Sequence, residues 1–218
     1  MMSFVAGAVI AATALGGAAP TPHSGDALAA IQQRAAQAIQ NRQDAIERVT
    51  HRVSENTSLT DAHRGQINAT LTSTASGLAS LGTTIAADDT AAEAKADFKL
   101  IFTDYRVFAV VVPQSAFVSA TDRLTDTAIP RLEKAYAKLE PLAAKDPEAA
   151  ADVAKMRTAL DSATQLTDGL ADKFLAVTPS DFDANHMVLK DLRGDLKDAA
   201  LQVKDAVADA HQAVAELR

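Results

Sequence analysis

Cysteine and tryptophan are both absent, and the aromatic set is only seven Phe and two Tyr. Without cysteine there is no disulfide framework, no thiol nucleophile and no zinc–thiolate site. Nine Gly and seven Pro in 218 residues leave a β-sandwich or barrel too few turn formers. Cations are outnumbered, 21 Lys and Arg against 28 Asp and Glu. The net charge of −7 and pI near 5.2 oppose a nucleic-acid backbone as partner. What fills the chain instead is alanine, 48 residues of it. Alanine is the best helix former and a poor strand former. The expected fold is all-α: an elongated antiparallel helix bundle with coiled-coil-like packing, built from four to five long helices.

Met1 to Ala19 carries no charged residue. An apolar run from Phe4 to Leu15 precedes Gly16, Gly17, Ala18 and Ala19, the small residues that suit a cleavage site, with the cut after Ala18. The cationic start of a secretory signal is missing, which translation from an upstream start would explain. The alternative is a retained anchor, although 19 Ala- and Gly-rich residues are short for a membrane span. The expected division is therefore 1–19 as signal peptide or N-terminal anchor, 20–24 as linker and 25–218 as one helical-bundle domain. The expected location is secreted or in the cell envelope, and the lack of cysteine agrees with export.

Helix starts recur along the chain. Thr90 with Glu93 forms a capping box, in which each side chain satisfies one orphan amide of the first turn. Asp146 before Pro147 and Glu148 places an acid at the N-cap and proline at the first helical position. Thr178, Pro179 and Asp181 repeat that logic, and Thr60 with Asp61 opens another helix. The predicted helices are about 25–56, 60–87, 90–142, 147–177 and 180–218. Apolar stripes support them: Ile67, Leu71, Leu78, Leu81 and Ile85 in the second, and Leu189, Leu196, Val203, Ala210 and Leu217 at sevenfold spacing in the last. Small seam residues favour close helix approach, so interior volume for a ligand should be scarce.

The third predicted helix is the longest and contains Pro113 and Pro130, which kink or break helices. Around Pro113 lies the most hydrophobic stretch, Phe98–Val112, where Lys99, Asp104 and Arg106 argue against a membrane span. A buried, kinked helix holding most of the aromatic core is the preferred expectation, with a short strand at Val107–Val112 as the alternative. One elongated bundle ranks ahead of two three-helix units because no internal repeat is present.

The segment Phe102–Phe108, continuing through Pro113 and Gln114 to Ala120–Arg123, resembles a stretch in uncharacterised exported helical proteins of actinobacteria. The resemblance covers about 30 residues. It implies an envelope or extracellular location and brings no activity or catalytic residues.

Residues that carry chemistry are sparse. Glu47, His51 and Glu55 share one helix face at four-residue spacing and are the candidate metal ligands. The competing view is a solvated face beside Arg48 and Arg52. A di-iron bundle needs a Glu-x-x-His pair twice, and only Asp183 with His186 comes near. For haem, His51, His63, His186, His211, Met156 and Met187 are the axial candidates, without a Cys-x-x-Cys-His motif. No nucleophile elbow or phosphate loop occurs. Neither cofactor nor catalytic residue is expected. Arg106 sits in an apolar segment beside Asp104, with Asp122 further on, and a buried charge needs a partner. Tyr105, Arg106 and Phe108 are accordingly the candidates for partner or ligand recognition.

The leading functional expectation is an exported, non-enzymatic structural or interaction module that binds a protein partner or itself. One alternative is a carrier for a small apolar ligand or lipid at Phe98–Phe117. The other is a metal-binding bundle.

Overall fold

A computed structural model describes residues 24–218, and every regular element in that range is helical. The expected signal or anchor at 1–19 lies outside the described residues. The α-helices are α1 (Ser24–Glu55), α2 (Asp61–Ala87), α3 (Ala91–Thr103), α4 (Val112–Asp122), α5 (Ile129–Ala143), α6 (Pro147–Thr167), α7 (Leu170–Ala176), α8 (Pro179–Ala184) and α9 (Val188–Glu216). The all-α bundle expected from composition is the observed architecture.

Local chemistry sets the starts. The Thr90 hydroxyl accepts from Glu93 N–H at 3.2 Å, while the Glu93 carboxylate accepts from Thr90 N–H at 3.2 Å. Thr178 and Asp181 form the same box on α8. The Asp146 carboxylate accepts from the amides of Glu148 and Ala149 at the head of α6.

Three breaks divide the longer predicted helices. The first is at Asp104–Arg106, where Arg106 adopts φ 39. This is the one left-handed non-glycine residue among the described residues, a geometry costing about 1–2 kcal/mol. The second is at Asp168 and Gly169, where φ 61 suits a residue without Cβ. The third lies at Asn185–Met187, between α8 and α9.

The helix is not broken at Pro113. Val107–Val111 and Arg123–Ala128 are wide π turns, continuous with α4 and α5. Val112 N–H reaches back five residues to the Val107 carbonyl, and Ile129 N–H to the Leu124 carbonyl. A proline, Pro113 or Pro130, follows immediately in each case. Proline lacks the donor and its ring clashes with the carbonyl four residues earlier. Widening the turn ahead of it moves those carbonyls aside, so the helix continues. Residues 107–143 thereby form one rod of roughly 55 Å at 1.5 Å per residue. The strand alternative at Val107–Val112 is overturned: those residues are helical.

The hydrophobic core forms two clusters along this rod. One gathers α1, α2, α3, α4, α7 and the head of α9 around Ile67, Leu78, Ile101, Val118 and Phe174. The other gathers α5, α6 and the tail of α9 around Met156, Leu160, Ala206 and Ala213. The predicted stripe of α2 is buried at all five positions. The aromatic expectation needs correction, because the fully buried ring is Phe174 of α7, while Phe102 and Phe108 are 41% and 51% exposed. An apolar window inside 91–143 reaches mean hydropathy 1.2 and meets the length and composition test for a span. The helix there is interrupted at Asp104–Arg106, and Ile101, Val107, Val110 and Val118 are buried within the bundle.

Candidate functional site

An open groove of about 980 Å³ lies between the end of α4 and the first half of α9, bordered at one side by the α1–α2 loop. Its floor is apolar, formed by Phe117, Leu124 and Leu196. Phe117 lies tilted against the buried Phe174, ring centroids 5.0 Å apart and planes at 35°. Around the floor stand Arg123, Lys190, Arg193 and Lys197, with no Asp or Glu in the lining. None of these four cations has an ion-pair partner within 4.0 Å among the described residues.

The charge arrangement follows from helix periodicity in α9. Lys190, Arg193, Lys197 and Lys204 fall on one flank of the buried seam, while Asp191, Asp195, Asp198 and Asp205 fall on the other. The basic flank faces the groove. Of the acidic flank, Asp195 and Asp198 face a separate depression with Lys173. A chain of net charge −7 thus concentrates cations on one apolar-floored surface.

The groove wall at the α1–α2 loop is firmly tied. Arg64 donates to the carbonyls of Ser54, Asn56 and Leu59 at 3.0–3.3 Å, which gathers the loop over the end of α1. Asn56 Oδ1 accepts from Ser58 N–H at 2.9 Å. Asp122, 1% exposed, then clasps the loop to α4. Its carboxylate accepts from Thr60 N–H at 3.0 Å and lies 2.8 Å from Nδ1 of His63, whose Nε2 is 3.5 Å from Asp172 of α7. The clasp sits beside Arg123 and Leu124, so it fixes both walls. Past Asn56 and Ser119 the groove adjoins a recess of about 260 Å³ lined partly by Val49, Val53, Val112 and Ala116.

The sequence candidates are dispersed. The left-handed turn at Arg106 splays its neighbours: Tyr105 packs its ring over Gly77 of α2, Arg106 pairs with Asp183 of α8, and Phe108 lies against Arg42 of α1. They do not form one site. The partner of Arg106 is Asp183 rather than Asp104 or Asp122, with its guanidinium 5.5 Å from the Phe182 ring. Of the proposed metal strip, His51 and Glu55 pair at 3.2 Å in solvent, and Glu47 lies beside Arg48 and Arg52. No group of three or more potential ligands able to hold a metal occurs among the described residues. The axial candidates His51, His63, His186 and His211 stand on α1, α2, the α8–α9 link and the tail of α9. Within Phe98–Phe117, only Phe117 reaches the groove.

No family model, curated protein or solved structure matches the chain. The groove was foreshadowed in the sequence only by the spacing of Lys190, Arg193 and Lys197. The His63–Asp122 clasp joins residues 59 apart and has no local pattern.

Proposed function

We propose that this protein is an exported, non-enzymatic binding module that holds an anionic amphiphile in the groove between α4 and α9. The observation that carries the reading is the ring of Arg123, Lys190, Arg193 and Lys197 over an apolar floor, without an acid in the lining. An anionic headgroup gains charge-assisted hydrogen bonds from the ring. The apolar part lies on Phe117 and Leu124 and extends toward the recess beside Val53 and Val112, removed from water. Long cationic side chains serve both ends of such a ligand, since their stems are apolar. Export rests on the uncharged run at 1–19 and would deliver the module to the envelope or beyond.

Fluorescence titration with a dansyl-labelled long-chain fatty acid tests this. Binding is expected, with the methyl ester of the same probe bound far more weakly. Replacing Lys190, Arg193 and Lys197 together by Glu should weaken the acid by at least about tenfold, the equivalent of one lost charge-assisted hydrogen bond. Gly194→Phe should also block it, because a Cβ there points into open space. Equal binding of acid and ester, or a charge-reversed protein that binds as before, would overturn the proposal.

A further inference from the structure

Arg42 is the anomalous cation of the molecule. It is 8% exposed, yet no carboxylate lies within 4.0 Å of it among the described residues. Residues 1–23 contain no Asp or Glu, so they hold no side-chain carboxylate to offer. Its one hydrogen bond among the described residues runs from Nη1 to the Ala38 carbonyl of its own helix at 2.9 Å, and its enclosed Nε has no partner. The half-buried arginines hold acceptors, although the Nε of Arg64 and of Arg106 is likewise without a partner. Arg157 holds Glu133 and Asp161, Arg106 holds Asp183, and Arg64 holds three carbonyls. Burial pulls the Arg42 guanidinium below its ordinary value, with no neighbouring charge to offset it.

What covers Arg42 is aromatic. Its guanidinium carbon lies 4.4 Å from the Phe102 centroid and 5.3 Å from that of Phe108. Both rings are substantially exposed. Cation–π contact returns less free energy than the desolvation of an ion costs. An Arg flanked by exposed aromatic rings has the composition of a protein–protein hot spot.

We propose that Arg42, Phe102 and Phe108 form a docking point for a partner protein segment presenting a carboxylate between apolar side chains. The carboxylate completes the coordination of Arg42 and the flanking residues cover the two rings. This surface is distinct from the groove, whose lining begins beyond the end of α1 at Asn56 and includes none of these three residues.

The test is NMR observation of the Arg42 Nε–H resonance during addition of short, terminally blocked peptides. Each carries a central Glu or Asp between Leu and Phe residues, and each is paired with its Gln or Asn counterpart. The acidic peptides should shift the resonance at about 1 mM, the range of a single weak motif. The amide peptides should not. Binding followed through neighbouring backbone amides should be lost in Arg42→Met and reduced severalfold in Phe108→Ala, a change at an exposed ring. The proposal is overturned if acid and amide peptides act alike, if Arg42→Met binds as before, or if no peptide shifts the resonance. Concentration-dependent self-association that requires Arg42 would assign the surface to a second copy of this chain instead.

Discussion

At the residue scale, the most telling position is Gly77. A Cβ there would sit 2.6 Å from the Tyr105 ring, so α2 and the Arg106 turn approach only because a side chain is missing. Gly65, on the same helix, meets nothing within 4 Å. Gly65→Ala should stabilise by about 0.5–1 kcal/mol through helix propensity. Gly77→Ala should lose that gain and destabilise, because Tyr105 must leave its seat. Urea denaturation of the two variants checks the opposite signs. Two acids also differ in sign with pH. Asp209 is pushed up, first by burial and then by Asp152 and Asp205 against the opposing Lys155. A raised carboxylate destabilises the fold above its folded value and ceases to do so once protonated. Asp209→Asn should therefore stabilise at neutral pH, by roughly a few tenths of a kcal/mol after solvent screening, with the gain vanishing in acid. Asp181 is held down by its bonds from Thr178, so its contribution is present at neutral pH and lost as pH falls through its folded value. Asp181→Asn should accordingly cost stability at neutral pH and little in acid. Thermal melts across pH 3–7 check both signs.

At the element scale, Asp122 of α4 holds Thr60 and His63 at the head of α2, and the buried Gln114 of α4 donates to the carbonyls of Phe174 and Val177 at α7. Removing the Asp122 carboxylate leaves Thr60 N–H and the His63 ring without their buried acceptor. Asp122→Ala should cost about 3 kcal/mol, as when one partner of a buried charged network is removed. Its midpoint in chemical denaturation should fall accordingly, and amide exchange should speed up at the loop of residues 56–60. A change below about 1 kcal/mol would show that the clasp is incidental. The two π turns act at the same scale. Each lets a helix continue through proline, so helical residues run unbroken from one core to the other.

At the scale of the whole molecule, helical class and most helix starts are legible in the sequence because they depend on contacts within one turn. Thr60, Thr90, Asp146 and Thr178 each cap a helix as their neighbours dictate. Val153, Met156, Leu160, Ala163, Leu170, Phe174 and Val177 form one apolar stripe of the fourth predicted helix, and all are buried, even across the break at Gly169. What escapes local patterning is set by distant partners. Nothing at Asp104–Arg106 signals a helix stop, and Asp183 and Phe182, far along the chain, hold that turn. The two prolines suggest breaks that a wider turn accommodates. The groove depends on α4, α9 and the α1–α2 loop meeting. Only the basic flank of α9 could be traced beforehand.

The central claim is that the groove holds an anionic amphiphile. Native mass spectrometry of the protein recovered from the cells that make it tests this most directly. The account predicts a chain cut after Ala18 that carries one lipid-sized anionic adduct, which is lost when Lys190, Arg193 and Lys197 are replaced by Glu. A bare chain, or an adduct retained by the charge-reversed protein, would contradict it.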